Sequence, residues 1–212
     1  VEEKLLSPEY RNYNESYWDN KTFAPSCLIY YIGVSKRIKN LEHHTLFFDE
    51  DFEDHAKEIY DNPAWPKRPL FYMSASSKTD PTVAPEGCEN LFILCPVPDR
   101  RYKNDWSDRE ALADTILKDM SERIGYDLIA NRVTQTIYAP DDWESMFNLY
   151  RGSGLGLAHG LNQVAAMRPN NKDEEFNNLY YVGASTVPGT GLPIVVIGSK
   201  LVTERILKDE KK

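Results

Sequence analysis

The stretch SDREALADTILKDMSERIG, from Ser107 to Gly125, constrains this chain more than any other. Leu112, Ile116, Met120 and Ile124 recur every fourth residue, with Ala113 and Leu117 beside them, so a helix here is apolar along one stripe and polar elsewhere. Such a helix must lay its stripe on an apolar surface. Ser107 with Glu110 three residues on reads as a capping box, and Gly125 suits a left-handed stop. Short apolar runs on either side can supply the surface. They are Ala24–Val34, His44–Phe48, Pro69–Ser76, Glu89–Pro98 and the alternating RVTQTIYAP from Arg132, each bounded by turn formers. Acid-started helices are expected in Asp49–Asp61 and, behind Pro140, in PDDWESMFNLY. The pattern predicts an α+β fold: a mixed, largely antiparallel sheet with helices on one face.

Bulk properties narrow the function. The 212 residues are 41% hydrophobic, enough for one sizeable core, and carry a net charge of −8. Scattered Lys and Arg on an acidic chain argue against nucleic acid as a partner. Three cysteines without a CxxC spacing suit a reducing cytoplasm, with Cys27 and Cys95 as inert thiols in apolar strands. No apolar run approaches the ~20 residues of a membrane span, so any membrane contact is peripheral. The four histidines have no metal-ligand spacing, and no metal site is expected. His43 and His44, as neighbours on a strand, are expected to point opposite ways. The opening VEEKLLSPEY has no Met and reads like the middle of a longer protein.

A second constraint lies near the end, in NLYYVGASTVPGTGLPIVVIGSKLVTERIL. A sixth strand (Asn178–Ser185) is expected to run through a Gly- and Pro-rich turn into a helix from Leu192, with the apolar first half of that helix buried. A buried helix N-terminus carries unpaired N–H groups and the positive end of the dipole, which suits an anion. A tight strand–helix connection with no ligand is the plain alternative.

This segment closely resembles the C-terminal signature of the bacterial-type phytoene desaturase family, FAD-dependent enzymes that desaturate carotenoid precursors. TDPTVAPEG with LFILCPVP, APDDWESMFNLYRGSGLGLAHGLNQ, MRPNN and FAPSCLIYYIGV resemble other family segments in the right order, from about Phe23 onward. Ile194, Asn170 and Val187 depart from the residues usual at those places. The resemblance implies a substrate domain of the amine-oxidase and phytoene-desaturase kind over 1–165. Residues 166–212 would then be a terminal strand–helix piece of the FAD-binding domain. The family's GxGxxG fingerprint does not occur here, so the main FAD motif, on an N-terminal FAD domain of the same protein, is expected to be missing from this chain.

By resemblance, Gly183, Ala184, Pro188, Gly189, Gly191 and Leu192 line the flavin. Arg168 is the candidate catalytic residue, an ion pair with Asp173 or Glu174 being its structural alternative. Tyr30, Phe71, Phe92 and His159 are candidates for a tunnel holding a long apolar polyene or carotenoid, with core packing as the alternative for the aromatic residues and a hydrogen-bonded helix histidine as that for His159. Tyr31 and Tyr72 fall on the same strands. Isolated, the chain is expected to be inactive and to bind FAD weakly or not at all. The competing readings are a related carotenoid isomerase, saturase or oxygenase, or a non-catalytic lipid-binding or interaction module that keeps the substrate-domain fold.

Overall fold

The computed structural model describes residues 2–211; Val1 and Lys212 lie outside the described residues. Along the chain run α1 (Glu2–Leu5), α2 (Glu15–Asp19), β1 (Ser26–Val34), β2 (His44–Phe47), α3 (Phe52–Tyr60), β3 (Phe71–Ser74), β4 (Glu89–Val97), α4 (Arg109–Ile124), β5 (Arg132–Tyr138), α5 (Pro140–Phe147) and α6 (Leu192–Asp209). The chain divides into two compact units, one of residues 25–154 and one of residues 1–24 with 155–212. The boundary expected at 165/166 falls inside the second, discontinuous unit.

The 25–154 unit is the α+β fold read from the sequence. Its five strands form one antiparallel sheet in the order β2-β3-β4-β1-β5. Strand alternation sends Leu28, Tyr30, Ile32 and Val34 of β1, with Leu91, Ile93, Cys95 and Val97 of β4, to one face. There they join Ala113, Ile116, Leu117, Met120 and Ile124 of α4, all buried, in one core with the fully enclosed Trp106. Gly125 takes the left-handed conformation (φ 65°) and ends α4 as expected.

The capping box does not form. Asp105 captures Ser107 first, accepting its N–H at 2.9 Å and its hydroxyl at 3.1 Å, while Glu110 accepts from Gln135 at 2.9 Å. At α5 the acid at the third position does work as a cap, since Asp142 accepts the Ala139 N–H at 2.8 Å. His43 and His44 do not point apart: their rings stack at 4.2 Å, because His43 precedes β2 and is free of strand alternation.

The discontinuous unit is built differently. Two expectations fail in it. The sixth strand is not formed; Lys172 and Tyr180 make one isolated antiparallel bridge, and Asp173 N–H to Leu179 O with Tyr181 N–H to Asn171 O are its hydrogen bonds. A strand needs a continuous ladder, and the turn at Asp173, whose carboxylate accepts the Glu175 and Phe176 N–H groups, curls the partner segment away after one rung. Nor is the first half of α6 buried. Leu192 is 88% exposed and Val196 68%, and only Gly198 and Val202 of this helix are buried. The helix touches its own unit where Gly198 admits Pro188; a Cβ there would stand 3.2 Å from the proline ring.

Candidate active site

Two surfaces carry the residues singled out above, one in each unit. The first is the sheet face opposite α4. Register places Leu46, Tyr72, Leu94, Ile29 and Tyr138 side by side across all five strands, and His44, Ser74, Phe92, Tyr31 and Thr136 in the next row. Aromatic rings dominate it. Tyr31 meets Phe92 at 5.4 Å and Tyr138 at 6.0 Å, and Tyr72 meets Phe92 at 6.1 Å. Trp143 of α5 continues the strip beside Tyr138 and is held by its indole N–H donating to Cys27 O at 2.8 Å.

Beside the second row a cleft of about 500 Å³ opens between Tyr31, Gly33, Phe92 and Thr134 on the sheet and Val83, Ala84 and Pro85 of the 79–87 loop. Glu89 lies at its edge with a fully enclosed side chain. Burial works against its charge, but the Ile38 N–H (2.8 Å), Arg37 (3.0 Å), Ser77 (3.1 Å) and nearby Lys78 outweigh that and hold the carboxyl below its ordinary range. At the far edge the His44 ring and the Tyr72 hydroxyl share a hydrogen bond of 2.6 Å.

Alternation sorts the expected tunnel residues. Phe92 stands on the open face. Tyr30 (0% exposed) and Phe71 (3%) point into the α4-covered core, where Phe71 stacks on Phe47 at 4.3 Å. Burial raises the Tyr30 hydroxyl pKa well above its usual value and pushes the Cys27 thiol up to about 12, so neither ionises near neutrality. Tyr31, Tyr72 and Tyr138 line the open face. The period-two pattern separates Tyr30 from Tyr31 without saying which one α4 covers.

The second surface is the 183–191 turn of the discontinuous unit. Gly183, Gly189 and Gly191 adopt φ of 147°, 133° and 112°, conformations closed to residues with a Cβ, and the Val187–Pro188 peptide is cis. The space in front of Gly183 is open: a Cβ there would meet nothing within 4 Å. Gly189 is different, since the His159 ring fills the place of its side chain, with Nε2 at 2.5 Å from where a Cβ would lie. His159 therefore packs on the turn. Gly191 leads into α6, whose N-terminus has Pro193 in its first turn and no side-chain cap. The open backbone at Gly183 and the uncapped N-terminus of α6 are the groups of this turn that could take a phosphate-bearing cofactor.

Arg168 sits behind this turn, 2% exposed. Its guanidinium donates to five backbone carbonyls: Leu157 (3.1 Å), Ala158 (3.3 Å), Gln163 (3.2 Å), Ala184 (2.6 Å) and Thr186 (3.3 Å). The expected ion pairs are not made. Asp173, 4% exposed, instead accepts from Asn12 and Tyr181 (2.6 Å each) and from the Glu175 and Phe176 N–H groups. Burial opposes its charge, but the Tyr181 hydroxyl, the two N–H groups and Asn12 hold its pKa below the ordinary value. Glu174 accepts from Asn170 at 3.4 Å. Among the described residues no cluster of three or more His, Cys, Asp or Glu could hold a metal ion, and no helix is long and apolar enough to cross a membrane.

Comparison with known proteins gives a consistent result. The chain is 38% identical over 209 residues to a carotenoid 3,4-desaturase of Haloarcula japonica, covering 99% of this chain and 42% of that protein. It is 36% identical over 208 residues to a zeta-carotene-forming phytoene desaturase of Myxococcus xanthus (97% and 40%). A lycopene-forming phytoene desaturase of a Paracoccus species is 34% identical over 191 residues (89% and 38%). The chain thus spans about two fifths of the length of these relatives. No family model matches. A crystal structure of an oxidoreductase from Methanosarcina mazei aligns with 95% of this chain and 39% of its own, at 16% identity and a TM-score of 0.47.

Proposed function

We propose that this chain, homologous over nearly its whole length to carotenoid and phytoene desaturases, supplies the polyene-binding wall and one half of the flavin cradle of an FAD-dependent polyene desaturase. The observation that carries the reading is the open sheet face. Five antiparallel strands present a strip of Leu, Ile, Phe, Tyr and Trp side chains on the side away from α4, suited to a long flat apolar chain. Strands spaced ~4.8 Å apart make that strip roughly 19 Å across, a length that fits an extended polyene segment rather than a compact metabolite. A flavin held there would supply the hydride acceptor for such a desaturation, the adjacent carbon losing a proton as the double bond forms.

The residues of this chain hold and shield. Tyr31, Phe92, Tyr72 and Tyr138 grip the polyene by ring contacts and keep water from it. Gly183, Ala184, Pro188, Gly189, Gly191 and Leu192 form the second half of the flavin cradle, with the α6 N-terminus towards the phosphates. Gly189 does so indirectly, by letting His159 brace the turn. In this reading residues 1–165 are most of the substrate-binding domain and 166–212 a piece of the FAD domain. The apolar side of α6, with Val196 and Ile197 exposed, packs on the rest of that domain. The whole enzyme works in the cytoplasm, drawing its apolar substrate from a membrane surface by peripheral contact.

Flavin absorbance titration of this chain and of a longer protein that carries it tests the reading. The longer protein is expected to hold FAD stoichiometrically and to dehydrogenate a polyene, and this chain to hold FAD weakly. Tight stoichiometric binding by this chain alone would contradict the half-cradle. A longer protein that binds polyene but no flavin would leave a lipid-binding module as the better account.

A further inference from the structure

Arg168 has an unusual set of partners for a buried cation. A guanidinium has five N–H donors and no acceptor, and burying it without a carboxylate is costly unless those donors are filled. Here the partners are backbone carbonyls alone, and they come from two stretches that share no secondary structure. Leu157, Ala158 and Gln163 belong to the segment before Arg168, Ala184 and Thr186 to the turn after it. The carboxylates nearby in sequence are engaged elsewhere, Asp173 by Asn12 and Tyr181 and Glu174 by Asn170.

The same two stretches touch again at two further places. A Cβ on Gly156 would meet the Ser185 hydroxyl, and one on Gly189 would meet His159. The Gln163 side chain, also buried, donates to Ala158 O at 2.8 Å and fixes the first stretch in turn. The turn's backbone joins no sheet ladder and the helix that follows is exposed at its start; its other ties are the buried Asn171 amide, donating to Val187 O at 2.9 Å and Tyr181 O at 3.1 Å, and the Val187 N–H on Pro169 O.

We propose that Arg168 is a positioning residue: a guanidinium strap that ties the 183–189 turn to the 157–163 segment and acts on a bound cofactor only through the shape of that turn. Lysine cannot replace it. An ammonium keeps the charge but has three donors on one atom, and it cannot reach carbonyls on two sides of a planar fork.

The first test needs no cofactor. Amide hydrogen exchange is followed in this chain and in Arg168→Lys and Arg168→Met. The Thr186 and Val187 amides, bonded to Gly183 O and Pro169 O, are the reporters. Both are expected to exchange at least tenfold faster in either variant, while β1 and α4 amides keep their wild-type rates and certify the fold. Unchanged Thr186 and Val187 rates in a folded Arg168→Lys or Arg168→Met variant would overturn the strap.

The second test rests on the function proposed above and uses the flavin-loaded longer protein. Both variants are expected to lose FAD affinity about tenfold, and kcat on a polyene at saturating FAD is expected to stay within about threefold of wild type. A collapse of kcat with unchanged FAD affinity would overturn positioning and put Arg168 at the reacting atoms. If the turn loosens as expected but wild-type protein binds no flavin, the strap stands and the proposed function fails.

Discussion

The 25–154 unit and the discontinuous unit solve the same problem by different means. The first is a sheet and a helix that bury alternate residues and a stripe in one apolar core, with a few polar residues such as Glu89, Ser77 and Asp99 buried beside it. The second has little regular structure besides α6. It is tied by polar side chains: Arg168 on five backbone carbonyls, Asp173 on the side chains of Asn12 and Tyr181 as well as two neighbouring N–H groups, and Gln163 accepting the Thr22 N–H at 3.2 Å. Area burial is tolerant of detail, whereas each polar tie depends on a particular atom. The difference teaches where each unit should break.

The largest effect is expected in the sheet unit. Trp106 is fully enclosed, and Trp106→Ala should cost about 3–5 kcal/mol in urea unfolding followed by a probe in 25–154. A loss under 1 kcal/mol would mean that the core is not packed around this ring. Next comes the polar hub. Asp173→Ala strands the Tyr181 hydroxyl, Asn12 and two N–H groups, a loss of about 1–3 kcal/mol. It should be read by probes in the discontinuous unit and leave the α4 amides unmoved; equal loosening of both units would erase the distinction.

Acid should act through the same carboxylates. Asp173 and Glu89 both titrate below their ordinary values in the folded chain, so each contributes stability that is complete above the unfolded pKa and disappears as pH falls through the folded one. Melting temperature should therefore drop as pH falls below the normal carboxylate range of about 4. Asp173→Asn should flatten that drop in the discontinuous unit only. A wild-type profile flat through this range would contradict the depressed values. The smallest effect is expected on α6, where Val196→Ser and Ile197→Ser should each shift stability by no more than about 0.5 kcal/mol while lowering hydrophobic-dye binding.

The same contrast explains what could be read from the sequence. The α4 stripe and the strand alternation report area burial, which is written in residue spacing, so α4 and the five strands were legible to within about two residues at each end. The choice between Tyr30 and Tyr31 was not, because it depends on which face α4 lands upon. The discontinuous unit is written in single contacts. Asp173 and Glu174, five and six residues after Arg168, suggested an ion pair; nothing in the spacing revealed that carbonyls of Leu157 and Ala184 would take its place. The Asp105 that displaced the capping box shows one local motif competing with another for the same serine. Burial of α6 was inferred from its apolar start, and an apolar segment is buried only where a partner covers it.

The most direct test of the central claim, that the open sheet face holds the polyene while the turn serves the flavin, is anaerobic flavin bleaching in the loaded longer protein. Wild type is mixed with a polyene and compared with Phe92→Asp, which places a charge in the middle of the strip. The account predicts bleaching in wild type and at least a tenfold slower reaction in the variant at unchanged FAD content. Bleaching at the wild-type rate in Phe92→Asp would show that the substrate lies elsewhere.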